Sequence, residues 1–382
     1  MYYYPEEKME KEKYNKAFIY KTDPRKQIRN LNILPIIDRS LIDYEKYLDF
    51  IGHTGAKHAM AVQATRGCPY RCFYCDVVQT APTHYRRSVE NIFNEIKILA
   101  DIGVKRIDFI DDIFNVNKKH FTEFFEVVLK EGLDLKFFFS SGLKGDLLTK
   151  DMIDLMVEAG TIGVNLSLEH AAPRMQKLMR KGLDVEALRE NLHYFTEKYP
   201  QVILGLNCMH GFPSETEEEA MLTLNYMKSI KWLHFPYLVS VRIFPGTEIE
   251  KIALAQGIPQ ELIEQSQSLA YEEVSETLAF SQDFTKYVKM SFLRDYVLNK
   301  ERLLHILPYQ MEVFCEDELN QKYNSYFPTR INSFDDLLKY AKIDRSELRI
   351  KECLDENLIR IPEVNTCIKD HYPPVAKKNK DA

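Results

Sequence analysis

The chain reads as an α/β protein: a partial (β/α)6 barrel of parallel strands with a helical extension at its C-terminal end. Three observations predict this. From about residue 57 onward, short runs rich in branched and aromatic residues alternate with runs whose apolar residues recur at helical spacing, the pattern of parallel strands with covering helices. The helical runs carry their own start and stop signals. After about residue 257 the strand-like runs cease, and only helical periodicity remains.

Taken in order, residues 1–56 are charged and tyrosine-rich with weak periodicity, and are expected to form a lead-in packed on the barrel. The barrel, residues 57–257, has six strand candidates: Ala59–Ala64, Arg106–Ile110, Leu135–Ser140, Gly163–Leu168, Val202–Met209 and Tyr237–Phe244. A helix over Ser88–Ala100 puts Val89, Ile92, Phe93 and Ile96 on one face and stops at Gly103, a residue suited to the left-handed position after a helix. Another is expected to open at Ser214-Glu215-Thr216-Glu217, read as a capping box between Ser214 and Glu217. The extension, residues 258–370, is expected to be helical over Pro259–Leu278, Phe284–Leu304, Phe334–Ala341 and Ser346–Glu356. It is either a lid packed on the barrel or a surface for substrate or partner. Residues 371–382 form a tail, whose Lys377-Lys378-Asn379-Lys380 run is expected to be a solvated end.

Composition narrows the function classes. The length of 382 residues, 45% apolar and 28% charged, suits one barrel of roughly 200 residues plus an appendage. No stretch approaches about 18 uninterrupted apolar residues, and the start lacks the order of a signal peptide. A cytoplasmic protein without a membrane partner is expected. The net charge of −6 with no long basic stripe argues against a nucleic-acid partner. Of seven cysteines, Cys208, Cys315, Cys353 and Cys367 are scattered, which is no disulfide framework.

The other three lie in Arg66-Gly67-Cys68-Pro69-Tyr70-Arg71-Cys72-Phe73-Tyr74-Cys75-Asp76, a C-x3-C-x2-C spacing with an aromatic residue before the last cysteine. Three thiolates on one short loop can hold three irons of a cubane cluster and leave the fourth iron open, whereas a closed structural site wants four protein ligands. A zinc loop is the other reading, with His84 as its fourth ligand.

With Tyr74 in the aromatic slot, this segment resembles the signature of the radical S-adenosylmethionine (radical SAM) superfamily. The resemblance implies a [4Fe–4S] cluster on Cys68, Cys72 and Cys75. Its open iron would chelate S-adenosylmethionine (SAM), and one electron would split the sulfonium to give a 5′-deoxyadenosyl radical.

Later segments match the family in order over about residues 57–250, which is more specific than any one motif. In a parallel barrel, functional residues gather where strands end. After the second strand, Phe109-Ile110-Asp111-Asp112-Ile113-Phe114 stands where most of the family has Gly-Gly-Glu, so Asp111 and Asp112 are candidates to receive the SAM ammonium. The bland alternative is an acid pair at a helix N-terminus. The fourth strand ends in Ser167-Leu168-Glu169-His170, which resembles the ribose motif and makes Glu169 a candidate acceptor for the ribose diol. Pro173-Arg174-Met175 and Met179-Arg180-Lys181-Gly182 match the continuation, where a basic side chain meets the methionine carboxylate. Arg174 is the candidate, against an exposed helix arginine. His210-Gly211-Phe212-Pro213-Ser214-Glu215-Thr216 resembles the family's turn beside the adenine, which places Gly211 there, and Phe244-Pro245-Gly246-Thr247 resembles a further family turn. Cys208, if it faces the lumen, would donate a hydrogen atom to a substrate radical. Its other reading is a buried packing residue.

The Asp-Asp-x-Phe variant and the Leu34–Leu41 linker resemble the cobalamin-associated branch of the family, yet the roughly 56 leading residues cannot hold its N-terminal cobalamin-binding domain. Methylthiotransferases carry flanking domains that are not visible here, and coproporphyrinogen oxidases have another cysteine where this chain has Val77. The resemblance therefore implies an enzyme that abstracts hydrogen from a small metabolite or peptide in a biosynthetic pathway, with flavodoxin or ferredoxin as reductant. The alternatives are methyl transfer through cobalamin from a separate protein, and an iron–sulfur SAM-binding protein without turnover.

Overall fold

The computed structural model describes residues 26–41, 56–267, 279–350 and 353–360. Tyr44, Tyr47, Cys367 and the 371–382 tail lie outside them. Among the described residues, one sheet has six strands in chain order: β1 Ala59–Val62, β2 Arg106–Phe109, β3 Lys136–Phe139, β4 Thr161–Glu169, β5 Ile203–His210 and β6 Phe235–Ser240. Every neighbouring pair is parallel, while β1 and β6 remain unpaired edges, so the sheet is an open, partial barrel. Parallel neighbours need a crossover of a dozen or more residues, and helices supply it.

The crossovers are α2 Val89–Asp101, α3 Lys118–Glu131, α4 Lys150–Glu158, α6 Val185–Lys198 and α7 Glu217–Ser229, with the short α1 Val77–Thr80 and α5 Pro173–Met179 between strands and helices. Ser88 caps α2 by accepting from the Asn91 amide, and Gly103 follows at φ 90°, as the sequence predicts. Against β2 and β3, α3 packs a phenylalanine cluster in which Phe109 and Phe139 stack at 5.1 Å between centroids and Phe124 meets Phe109 edge-on at 5.4 Å. This is the geometry that aromatic quadrupoles favour.

Four expectations need correction, the last of them in the C-terminal helices. The last strand begins at Phe235 rather than Tyr237 and ends at Ser240. Pro236 lies inside it, and proline is accommodated in a strand at the edge of a sheet, where a missing N–H breaks no ladder. Second, α7 is capped by Thr216 with Glu219, not by Ser214 with Glu217. Ser214 is at φ 73°, outside the helix, because Glu215 is drawn back into the preceding turn. Third, no helix covers the described part of Ser346–Glu356; only a 3-10 turn at Arg345–Glu347 and another at Glu356–Leu358 stand there.

Beyond β6 come α8 Glu248–Ala255, α9 Gln260–Ser266, α10 Gln282–Phe292, α11 Lys300–Val313, α12 Glu316–Asn324 and α13 Phe334–Tyr340. A π-helical turn, Leu293–Val297, separates α10 from α11, where one continuous helix was expected. Of these, α8 and α9 pack beside the cysteine loop, while α11 and α12 cover the end of the barrel where the strands begin. The Arg106 guanidinium at the start of β2 donates to Glu318 Oε1 at 2.9 Å and to the Lys57 carbonyl at 3.1 Å. Arg302 reaches the carbonyls of Leu233 and of His234, the latter at 2.8 Å. At the other edge, Arg39 donates to the Ala61 carbonyl at 2.8 Å and to Glu95 at 2.7 Å, joining the 26–41 segment to β1 and α2. Among the described residues no helix is long and apolar enough to cross a membrane. With one mouth covered, the open end is where the strands finish.

Candidate functional site

The cysteine loop leaves β1 at that open end. Gly67 is at φ 83°, and a Cβ there would lie 2.2 Å from the Thr83 carbonyl oxygen, so only glycine fits. The Cys68 amide donates to the Ala81 carbonyl at 3.1 Å, the Phe73 amide to Met179 at 3.2 Å, and the Ile249 amide to the Phe73 carbonyl at 3.2 Å. Beneath it an apolar pad of Phe73, Met175, Met179, Phe212, Ile243 and Ile249 is separate from the main core. The loop is thereby clamped from α5 and α8.

Cys68, Cys72 and Cys75 are free and half-buried. Burial pushes the Cys68 thiol up to about 11, and its two neighbours add to the rise. Burial also raises Cys72 and Cys75. The backbone amides of Tyr70 beside Cys68, and of Val77 and Val78 beside Cys75, act in the opposite sense and favour thiolate. The donor set therefore suits a metal group that replaces three thiol protons and leaves amide dipoles aimed at sulfur. Among the described residues no three Cys, His, Asp or Glu side chains close on one ion. His84, the expected fourth zinc ligand, has its Nε2 on the Ile113 carbonyl at 2.9 Å.

Asp111 does not stand free for an ammonium group. Its Oδ1 accepts from the Ala64 amide at 3.1 Å, from Thr65 Oγ1 at 2.6 Å and from the Thr65 amide. It is 2% exposed, and burial raises its carboxyl to about 6. Asp111 is a positioning residue that stitches the end of β2 to the strand leading into the cysteines. Asp112 is exposed, and its Oδ2 accepts from the Gly67 amide at 2.7 Å. Among the described residues its Oδ1 has no partner, and its charge raises Cys68 and Cys75. Neither acid lies in the first turn of α3, which starts at Lys118.

Glu169 ends β4 at φ 66°, a left-handed conformation that a non-glycine residue adopts only where its surroundings impose it. Lys181 Nζ donates to Glu169 Oε1 at 2.9 Å and to the Ser167 carbonyl at 2.7 Å. This pair lies beside the loop, since Glu169 raises Cys72 and Lys181 lowers it. Lys181 is thus the basic side chain at the site, and sequence reasoning passed over it. Arg174 is held away: its Nε and Nη2 grip Glu219 at 2.7 and 2.6 Å, and Nη2 also donates to the Ser214 carbonyl at 2.6 Å. The positive φ of Arg180 turns the chain so that Lys181 faces inward.

Tyr74 packs edge-on to Phe73 at 5.8 Å and to Phe212 at 6.0 Å, and burial raises its hydroxyl well above the usual range. Gly211 is at φ 82°; its amide donates to Glu215 Oε2 at 2.6 Å and the Phe212 amide to the same oxygen at 2.8 Å. Glu215 Oε1 accepts from His170 Nε2 at 2.8 Å, while His170 Nδ1 accepts from the Ala172 amide at 3.0 Å. A neutral imidazole with its proton on Nε2 satisfies both contacts. Glu215 and His170, neither singled out from sequence, hold the turn shut.

Cys208 is corrected as well. On β5 the side chain of Asn207 reaches Ser167 Oγ at 3.2 Å in the lumen, and alternation along a strand sends Cys208 to the other face. There it is fully buried in the main core. Burial raises its thiol well above the usual range. It is a packing residue on the helix side of the barrel.

The sequence pattern of the radical SAM superfamily matches residues 62–227. The chain is 28% identical over 241 residues to an uncharacterised methyltransferase of Pyrococcus horikoshii, covering 62% of this chain and 50% of that protein. It is 26% identical over 224 residues to a tRNA-2-methylthio-N(6)-dimethylallyladenosine synthase of Aquifex aeolicus, covering 56% of this chain and 50% of that protein. It spans about half the length of these curated relatives. A radical SAM methyltransferase structure from Kitasatospora setae aligns with TM-score 0.48 and 19% identity over 56% of this chain and 40% of that one. The cysteine loop and the strand-end carboxylates Asp112 and Glu169 all fall within residues 62–227, the span over which this chain is similar to the radical SAM superfamily.

Proposed function

We propose that this enzyme reductively cleaves SAM at a [4Fe–4S] cluster on Cys68, Cys72 and Cys75 and abstracts hydrogen from a small metabolite or peptide in a biosynthetic pathway. One observation carries the reading: three thiols clamped on a loop whose edge also holds an exposed carboxylate, Asp112, and the Glu169–Lys181 pair. When bound, the cluster supplies one electron to the sulfonium of SAM, which releases methionine and a 5′-deoxyadenosyl radical. The chain's own residues do the rest. Asp112 Oδ1 is the acceptor for an ammonium, Lys181 the cation for a carboxylate and Glu169 the acceptor for a diol, each beside the cysteines. Tyr74, Phe73 and Phe212 keep water from the inner side of the loop. A small electron-transfer protein such as flavodoxin or ferredoxin would supply the electron.

The test is 5′-deoxyadenosine release from anaerobically reconstituted protein with dithionite and SAM. The wild-type protein is expected to release it, and Cys72→Ala to lose both the iron–sulfur absorbance and the release. Retained release in the variant would remove the assignment. A second reading is methyl transfer through cobalamin from a separate protein; its methyl-transfer part is supported by the similarity to the Pyrococcus horikoshii methyltransferase. Transfer of a deuterated methyl group from SAM only when cobalamin is added would favour it.

A further inference from the structure

The left-handed turn at Glu169 has a visible cause. Between β4 and β5, Ser167 pairs with Asn207 and Glu169 with Cys208, so two steps along β4 match one along β5. Such a bulge leaves backbone groups outside the ladder and re-aims the side chain beside it. The carbonyls on either side of Glu169, those of Leu168 and His170, both accept from Nε2 of Gln176 on α5, the first at 3.0 Å. A carbonyl oxygen only accepts, so the nitrogen of the Gln176 amide must be the atom that faces them. Its Oε1 is then left buried, without a hydrogen bond among the described residues. An apolar side chain would avoid that unsatisfied acceptor; what a glutamine adds here is the pair of donated bonds.

The grip has firm ends. On α5, Met175 and Met179 are buried in the apolar pad under the cysteine loop, which seats the helix that carries Gln176. The His170 ring is held between Glu215 and the Ala172 amide. On the other side, Lys181 Nζ holds the Ser167 carbonyl at 2.7 Å and Glu169 Oε1 at 2.9 Å. The chain is therefore fixed at 167, 168 and 170. Backbone strain at one residue persists only where its neighbours over-determine it, and here they do.

We infer that Gln176 is a positioning residue: by donating to the Leu168 and His170 carbonyls it imposes the left-handed backbone of Glu169 and so fixes the carboxylate where it accepts the ribose diol of SAM. The inference rests on the reading of Glu169 as the diol acceptor. Without the two bonds, residue 169 relaxes toward the extended backbone of β4, and its carboxylate moves away from Lys181.

The experiment is equilibrium dialysis of the reconstituted, unreduced protein with SAM and with its 2′,3′-dideoxy analogue, so that no turnover enters the readout. The wild type is expected to prefer SAM at least about tenfold, as hydrogen bonds to a charged acceptor provide, and Glu169→Ala to lose that preference. Gln176→Met keeps the length of the side chain and removes both donors. It is expected to cut the preference at least about fivefold, to leave the analogue within about twofold, and to change nothing further in the Glu169→Ala background. An unchanged preference, an equal loss for SAM and analogue, or a further loss in the Glu169→Ala background would overturn the inference, the last two being what a merely structural side chain gives. Should Gln176→Met fail to take up its cluster, Gln176→Asn, one carbon too short to span both carbonyls, is read in the same way. Loss of the cluster in both variants would assign Gln176 to holding the cysteine loop and overturn the inference as well. A wild type without the preference, or a Glu169→Ala protein that keeps it, removes the diol reading and the inference with it, whereas failure confined to the Gln176 variants leaves that reading standing.

Discussion

Two adjacent aspartates illustrate how far a residue's type falls short of its task. Asp111 and Asp112 read as one acid pair, yet the first is sealed against the Ala64 and Thr65 backbone while the second stays open at the loop. The chain has left β2 at Phe109 and bends at Asp112, so the two side chains meet different surroundings, one buried against Ala64 and Thr65 and one exposed beside Gly67. Asp111→Ala would leave buried donors unmatched and is expected to cost about 3 kcal/mol. A fall in the thermal midpoint together with lower iron retention checks this, and a variant that holds iron like the wild type would contradict the stitching role. Lys181 was legible in a quoted motif but not chosen, because its inward direction comes from the left-handed turn at Arg180.

At the scale of elements, helices were readable where one face is buried and the cap is local. The Ser88 cap and apolar face of α2 stand where periodicity puts them. The start of α7 was misread by two residues because two S/T-x-x-E candidates overlap, and only the tertiary pull of Gly211, Phe212 and His170 on Glu215 excludes the first. Thr216→Ala is therefore expected to lower stability by about 1 kcal/mol, with Ser214→Ala within about 0.5 kcal/mol. Urea unfolding of both variants measures this, and the reverse ranking would restore the earlier cap. Two prolines also sit inside regular elements: Pro236 in the edge strand β6 and Pro308 inside α11.

Over the whole molecule, α11 and α12 close the barrel end where the strands start, through Arg106–Glu318 and Arg302. The fold also has a defined response to acid. His210 is buried, neither ring nitrogen has a hydrogen bond among the described residues, and burial pushes its pKa to about 3 from an ordinary 6.5. Between those values the unfolded chain takes up a proton that the folded chain refuses, so stability is fully present above about pH 6.5 and falls toward pH 3 by roughly 1.4 kcal/mol per unit. Asp108, raised to about 7 by burial, acts the other way, holding a proton in the folded state that the unfolded chain releases above 3.8. His210→Leu is expected to shrink the drop in urea midpoint between pH 7 and pH 4.5. An equal drop in both proteins would show that His210 does not set the acid limb.

Local information sufficed for the strand–helix alternation, the cysteine spacing and the family resemblance they carry, because these depend on neighbours within a few residues. Which acid is free, which base turns inward and which face Cys208 takes depend on contacts made from far along the chain. A side chain's chemistry is written in its type, but its availability is set by what the rest of the fold has already paired with it.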